Sequence, residues 1–173
     1  FAEKAVFELH EDIIGLVGPN GSGKSNVVDA VRWVMGEQSA RKLRGDQMAD
    51  VIFKGSESHS ALGHAQVTLT LDNSDGTLPM DYEEVSIRRR VYRSGEGEYF
   101  INNEQCRLKD IRSLLMDTGL GVGAYNVIEQ GEVDLLLQAS ADERREVFEE
   151  AAGINRYLDQ KRDAERKLDR VTD

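Results

Sequence analysis

The sequence has few of the residues that mark specialised classes of protein. Its 173 residues include one cysteine, Cys106, so no internal disulfide can form. No apolar run approaches the ~18 residues that a membrane span needs, and no charged-then-apolar leader is present. Basic residues are outnumbered, with 22 Lys and Arg against 32 Asp and Glu. We therefore expect a cytosolic or nuclear protein without membrane contact, whose nucleic-acid contacts must come from a local basic patch.

A glycine-rich segment carries the strongest chemical signal in the chain. The run Gly18-Pro19-Asn20-Gly21-Ser22-Gly23-Lys24-Ser25 fills every fixed position of the phosphate-binding pattern G-x-x-x-x-G-K-[ST]. Glycines let successive backbone amides point at phosphate oxygens, and a following helix adds the partial positive charge of its N-terminus. Lys24 would reach the β and γ phosphates, Ser25 would ligate the Mg²⁺ that bridges them, and Asn26 lies on the same helical turn. The sequence therefore predicts a P-loop that binds the phosphates of a nucleotide together with Mg²⁺.

Hydrophobic periodicity predicts an α/β fold around this loop. An edge strand is expected over 5–10, a buried strand over 13–17 and a helix over 24–35. Further strands are predicted over 50–53, 66–71, 84–93 and 98–102, with turns at 73–76 and 94–97, which makes the middle third antiparallel. A helix is expected over 107–116. A capping pattern at Ser140 and Glu143, then a heptad spacing of Tyr157, Ala164 and Val171, predicts helices that lead into a coiled coil.

The residues that complete a hydrolytic site are harder to find. Hydrolysis also needs an acid that holds Mg²⁺ and a group that orients water. Asp72 follows an apolar strand, but that strand alternates with threonines and runs directly into a turn, so we do not expect Asp72 to be the catalytic acid. Half of the machinery of an ATPase is thus missing from the sequence.

Several basic residues could form a local patch that contacts DNA phosphates although the chain as a whole is acidic. Arg41 and Lys42 lie in one loop, and Arg88, Arg89, Arg90 and Arg93 lie on a predicted hairpin. Strand alternation sends Arg88 and Arg90 to one face and Arg89 to the other, so we favour a solvated face for the triple arginine. Trp33 and Cys106 are expected to be packing residues.

Residues 18–26 followed by 29–39 resemble the structural maintenance of chromosomes (SMC) family, in particular its bacterial members. Segments 43–45, 50–53, 89–95, 101–103, 106–111 and 148–154 also resemble family segments, in family order. The resemblance implies an ABC-type ATPase head that is split between the two ends of a polypeptide joined by a long coiled coil. This chain is similar to the N-terminal lobe, and a strand's worth of residues would precede Phe1. The family's Mg²⁺-binding acid and signature loop would lie in the C-terminal lobe.

The same resemblance assigns roles and domain limits. Gln130 matches the glutamine loop that senses Mg²⁺ and the attacking water, and Arg44 matches an arginine implicated in coupling DNA to hydrolysis. Residues 1–139 would form the lobe, with the P-loop at 18–26, an antiparallel β region at 50–102 and the glutamine loop at 125–131. Residues 140–173 would be helices that lead into the coiled coil.

The resemblance also implies partners and a setting. These are the C-terminal lobe, a second head that sandwiches ATP in a homodimer, a kleisin-type subunit and DNA, in the bacterial cytoplasm at the nucleoid. Three alternatives stay open. A DNA-break-repair ATPase would normally have Ser-Thr where this chain has Ser25-Asn26. A stand-alone P-loop phosphotransferase would turn over without a second lobe, and a structural DNA-binding module would not depend on Lys24.

Overall fold

The structure, a computed structural model, describes residues 1–9 and 13–116, together with 118, 140, 145, 161, 164, 165, 168 and 169. Between residues 24 and 116, two helices and four strands follow the glycines of the P-loop. They are α1 (Lys24–Val34), β1 (His64–Asp72), β2 (Glu84–Tyr92), β3 (Gly97–Ile101), β4 (Glu104–Cys106) and α2 (Leu108–Leu115). Two short 3₁₀ turns, Arg41–Leu43 and Met48–Val51, lie between α1 and β1.

The four strands form one antiparallel sheet in the order β1-β2-β3-β4. Leu69 of β1 is opposite Ile87 of β2, and Ile87 is opposite Ile101 of β3. The inward positions of β2 are buried, whereas the positions between them are half-buried on the outer face. The predicted alternation, hairpin and helices at 24–35 and 107–116 are therefore confirmed, within one or two residues at most ends.

The core lies between the inner face of the sheet and the two helices. Val34 and Met35 at the end of α1 pack with Ile87, Ile111 and Leu115, all of them buried. A second cluster joins Trp33 to Leu43, Ile52 and Val91. The C-terminal half of α1 is thus fixed against the sheet, while its N-terminal half extends toward the P-loop.

Asn73 organises the connection between β1 and β2. Its side chain is buried, and its Nδ2 donates to the carbonyls of Met80 and Tyr82 at 3.1 and 2.8 Å. Its Oδ1 accepts the amide of Leu78 at 2.7 Å. One amide group therefore satisfies several buried backbone groups, which the expectation of a simple turn at 73–76 did not include.

Three of the strand predictions are wrong. Residues 5–9 and 13–17 form no strand, and Ile13 and Val17 are 92% and 95% exposed. The apolar pattern is typical of a strand, but a strand also needs a partner strand, and the described strands β1–β4 pair only with one another. Residues 50–53 do not form a strand either. The carboxylate of Asp50 accepts the amides of Asp46 and Gln47, which closes a 3₁₀ turn instead.

The predictions for the last third of the chain fall mostly outside the described residues. The glycine-rich loop at 119–123 and the glutamine loop at 125–131 lie there entirely. Beyond 140, residues 145, 161, 164, 165, 168 and 169 are described and helical. No helix within the described ranges is long and apolar enough to span a membrane.

Candidate nucleotide site

The P-loop ends in a left-handed glycine that opens α1. Gly21 and Gly23 have φ of +81° and +90°, a conformation that other residues rarely adopt. At Gly18 a Cβ would lie only 2.9 Å from Oγ of Ser22. No side chain caps the start of α1, and no acidic residue lies in its first turn. The first amides of α1 therefore meet no competing side chain, as an anion site at a helix N-terminus requires.

Lys24 reaches back across the P-loop. Its Nζ donates to the carbonyls of Gly18 and Pro19, at 2.7 Å each. An ammonium has three donors, so a third one can point away from the loop. This arrangement holds a positive charge over the loop, and no carboxylate among the described residues forms an ion pair with it, which suits a phosphate ligand.

Ser25 and Asn26 occupy the first turn of α1, and both are exposed. The Ser25 hydroxyl is a hard oxygen ligand of the kind that Mg²⁺ takes in P-loop sites. Within residues 1–9 and 13–116 and the scattered positions beyond them, no group of three or more His, Cys, Asp or Glu could hold a metal ion. The residues present thus fit a nucleotide phosphate well, and they fit Mg²⁺ as one ligand of a set that the phosphates and other groups must complete.

Arg44 lies beside the same helical turn. Its backbone is left-handed, with φ of +60°, at the end of the first 3₁₀ turn. Its Nη2 donates to Oδ1 of Asn26 at 3.2 Å, and both Nε and Nη2 donate to Oδ2 of Asp29, at 3.0 Å from Nε. The structure therefore brings Arg44 to the P-loop helix, 18 residues away in sequence from Asn26.

Glu37 shapes the loop that carries Arg44. The carboxylate is buried, and it accepts the amides of Gln38 and Ser39 at 2.8 and 2.7 Å. Burial acts to raise the pKa of Glu37, but these amides and the nearby Lys42 ammonium outweigh it, so the pKa lies below its ordinary value. The carboxylate is thus charged at neutral pH and fixes the start of the loop.

Two arginines cap the other end of α1. Nη1 of Arg89 donates to the carbonyls of Trp33 and Glu37 at 2.7 and 2.6 Å, and its guanidinium lies 4.9 Å from the Trp33 ring centroid. Arg112 of α2 donates to the carbonyl of Gly36. Cations at a helix C-terminus complement its dipole and its unpaired carbonyls. These contacts fix the P-loop helix to the sheet and to α2.

The expected solvated face is therefore wrong for Arg89, which is 3% exposed. Burial lowers its pKa. The predicted division of faces is confirmed, since Arg88 lies over the ring of Phe100 on the outer face and Arg90 pairs there with Glu98. Arg93 donates to the carbonyls of Leu62 and Phe53 and so holds a loop. The hairpin arginines thus form no continuous patch.

The two packing predictions are confirmed. Trp33 is buried, and its Nε1 donates to Sδ of Met48. Cys106 is half-buried on β4, and burial raises the pKa of its thiol, which disfavours the reactive thiolate. Asp72 is the last residue of β1, and its carboxylate accepts the amide of Ser74 in the turn that follows.

The sequence did not indicate the contacts that four residues make around α1. These residues are Asp29, Glu37, Arg89 and Arg112. A signal existed for two of them. Arg89 falls on the inward register of β2, and Asp29 lies three residues after Asn26 and so on the same helical face. Gln130 lies outside the described residues, so its role stays a prediction.

The chain matches a known family of proteins over most of its length. The model of the RecF/RecN/SMC N-terminal domain family matches residues 1–135. The chain belongs to this family. The resemblance to bacterial SMC proteins is confirmed as well, because the chromosome partition protein Smc of Rhodopirellula baltica is 55% identical over 171 residues. That match covers 99% of this chain and 14% of the relative, so the chain spans about one seventh of the length of such proteins.

Solved structures share the fold. A chain solved in work on the structural biochemistry of ATP-driven dimerization and DNA-stimulated activation of SMC ATPases has a TM-score of 0.74 and 33% identity. The match covers 85% of this chain and 89% of that one. The Smc head of Pyrococcus furiosus, with an extended coiled coil and bound to the C-terminal domain of ScpA, has a TM-score of 0.73 and 34% identity over 88% of this chain and 38% of that one. The described residues thus have the fold of an SMC ATPase head lobe with an antiparallel subdomain.

Proposed function

We propose that this chain is the ATP-binding N-terminal half of the head of an SMC chromosome condensation and segregation ATPase. The observation that carries the proposal is the P-loop, with Lys24 held over it and the first turn of α1 uncapped. Residues 1–139 form the lobe in this proposal, and residues 140–173 lead into the coiled coil. The setting is the bacterial cytoplasm, at the nucleoid.

The proposal gives each site residue a task. Backbone amides of residues 18–23 and the Lys24 ammonium bind the phosphates of ATP, and Ser25 supplies one oxygen ligand to Mg²⁺. A bound Mg²⁺ would offset the charge that develops on the phosphates during hydrolysis. In this proposal Gln130 would orient the attacking water. The Arg44 guanidinium, which lies beside Asn26, stabilises the charge on the phosphates and couples DNA binding to hydrolysis.

Hydrolysis also needs groups that the described part of the chain does not bring together. No metal-binding cluster of acids occurs within the described ranges, and the apolar residues around Ile13 and Val17 are exposed. A C-terminal lobe that pairs with residues 13–17 would cover these side chains and bring the Mg²⁺-binding acid beside the P-loop. We therefore propose that the chain alone binds ATP but does not hydrolyse it.

The remaining partners follow from the family. A second head would complete the site in a homodimer, since ATP-driven dimerization is the subject of the work on one similar chain. A kleisin-type subunit would bind the head, as ScpA binds the head of Pyrococcus furiosus. DNA would be bound without sequence readout, by phosphate contacts such as Arg41 and Lys42 could make.

The test is ATP hydrolysis by the chain alone and after it is mixed with the C-terminal lobe of its parent protein. Lys24→Ala is the inactivating variant, and Lys54→Ala, a surface lysine paired with Asp50, is the matched control. We expect turnover in the mixture only, abolished by Lys24→Ala and retained by Lys54→Ala. Lys24-dependent turnover by the chain alone would show a complete small P-loop enzyme and overturn the proposal.

A further inference from the structure

The side chain of Arg44 is held in place by one carboxylate on the P-loop helix. Nε and Nη2 of Arg44 both donate to Oδ2 of Asp29, and Nη2 also donates to Oδ1 of Asn26. Asn26 and Asp29 are three residues apart on α1 and so lie on one face of the helix. The fork of the guanidinium is therefore oriented by two groups on the helix that follows the P-loop.

The backbone under Arg44 is fixed separately. The amide of Arg44 donates to the carbonyl of Arg41 at 3.0 Å, and the amide of Gly45 donates to the carbonyl of Ala40 at 2.9 Å. Glu37 holds the start of the same loop through two amides. These hydrogen bonds hold the loop backbone without a contact from Asp29, whose carboxylate contacts the guanidinium.

This ion pair is poorly suited to a purely stabilising role. The Arg44 side chain is 54% exposed and that of Asp29 is 21% exposed, and pairs of this kind contribute little to folding. A forked contact does fix direction, because the guanidinium presents its donors in a rigid plane. The pair therefore does more for the orientation of Arg44 than for stability.

We propose that Asp29 is a positioning residue that holds the Arg44 guanidinium beside the phosphate-binding turn before nucleotide binds. The inference rests on the proposed role of Arg44 in hydrolysis and adds the group on which that role depends. Without Asp29, the long side chain must be ordered anew in each catalytic cycle. Orientation effects of this kind reduce a rate without loss of any contact to the substrate itself.

The experiment measures ATP hydrolysis by the intact protein with Asp29→Asn, Arg44→Ala and the double variant. Asp46→Asn is the matched control, since it removes an exposed carboxylate two residues from Arg44. We expect Asp29→Asn and Arg44→Ala each to lower kcat by about 10-fold, with KM for ATP changed less than about twofold. The double variant should be no slower than Arg44→Ala alone, and Asp46→Asn should have no effect.

The outcomes separate the two claims. Wild-type turnover by Arg44→Ala would overturn the role of Arg44 and this inference with it. A slow Arg44→Ala beside a wild-type or faster Asp29→Asn would overturn the positioning role alone. A side-chain NMR measurement keeps the test independent of activity and of misfolding. The Arg44 Nε–H should exchange slowly in the wild type and rapidly in Asp29→Asn, while α1 amides stay protected. An unchanged Nε–H would contradict the proposal.

Discussion

The antiparallel sheet and the segment before the P-loop use similar residues with opposite results. Val85, Ile87 and Val91 of β2 are almost completely buried, whereas Ile13 and Val17 are more than 90% exposed. The four strands of the sheet pair with one another, and α1 and α2 cover its apolar residues. Residues 13–17 have the composition of a buried strand but no partner within the described residues. The sheet is complete within the described residues, whereas residues 13–17 expose the side chains that the proposed C-terminal lobe would cover.

The largest effect is expected when the same negative charge is placed in each of the two regions. Val85→Asp buries a carboxylate in the core, and we expect a loss of more than about 4 kcal/mol in the free energy of unfolding, enough to unfold a marginal chain. Val17→Asp should change it by less than about 0.5 kcal/mol in the chain alone. Urea unfolding followed by circular dichroism measures both.

Val17→Asp should instead act on association. We expect it to weaken binding of the C-terminal lobe by at least about 10-fold, since the carboxylate would be buried at the contact. Titration calorimetry with that lobe measures the change. Equal unfolding effects of the two substitutions, or unchanged binding, would contradict the division into two regions.

Arg89→Met tests how the sheet holds the P-loop helix. The substitution leaves the carbonyls of Trp33 and Glu37 without their donor, and we expect a loss of about 3 kcal/mol in the free energy of unfolding. Arg88→Met is the matched control on the outer face, where the stacking on Phe100 contributes less than about 1 kcal/mol. Urea unfolding of the two variants should separate them, and equal losses would rule out the capping role.

Asn73→Ala tests the connection between β1 and β2. Loss of the side chain leaves the carbonyls of Met80 and Tyr82 and the amide of Leu78 without partners. We expect a loss of about 2 kcal/mol by thermal unfolding. Asp81→Ala, an exposed position in the same connection, serves as the control and should stay within about 0.5 kcal/mol of the wild type.

The smallest expected effect concerns the turn at Asp50. The Lys54 ammonium, 2.8 Å away, and the amides of Gln47 and Asp46 lower the pKa of Asp50 from 3.8 to about 2. Because the pKa is lower in the folded state, the stabilisation is complete above about pH 4 and is lost as the pH falls toward 2. NMR titration of the carboxyl group should give a midpoint near 2, and Lys54→Ala should raise it. A wild-type midpoint near 4 would contradict the hydrogen bonds described.

Much of the fold could be predicted because its signals are local. The alternation of Val67, Leu69 and Leu71 and the helical spacing of Val27, Val31 and Val34 each arise from the period of one element.

The predictions at 13–17 and 50–53 were wrong for two different reasons. The first needs a partner strand, and the second depends on one carboxylate, that of Asp50, which accepts backbone amides and favours a turn.

The site was predictable where a motif fixes spacing and was missed where distant residues meet. Residues 18–25 are contiguous, so their pattern could be read directly. Arg89 meets the end of α1 across 52 to 56 positions, and Arg112 meets Gly36 across 76. Contacts at such separations depend on the packing of the sheet against the helices, which periodicity does not specify. The pairing of Arg44 with Asp29 depends likewise on a left-handed residue in a loop.

Amide hydrogen exchange of the chain, alone and with the C-terminal lobe, tests most directly whether residues 13–17 await a partner. In the chain alone, amides of residues 13–17 should exchange at least about 100-fold faster than the paired amides of β2. Addition of the C-terminal lobe should protect residues 13–17 and leave β2 unchanged. Protection of residues 13–17 in the chain alone would contradict the account, as would the appearance of ATP hydrolysis in the mixture without any gain of protection there.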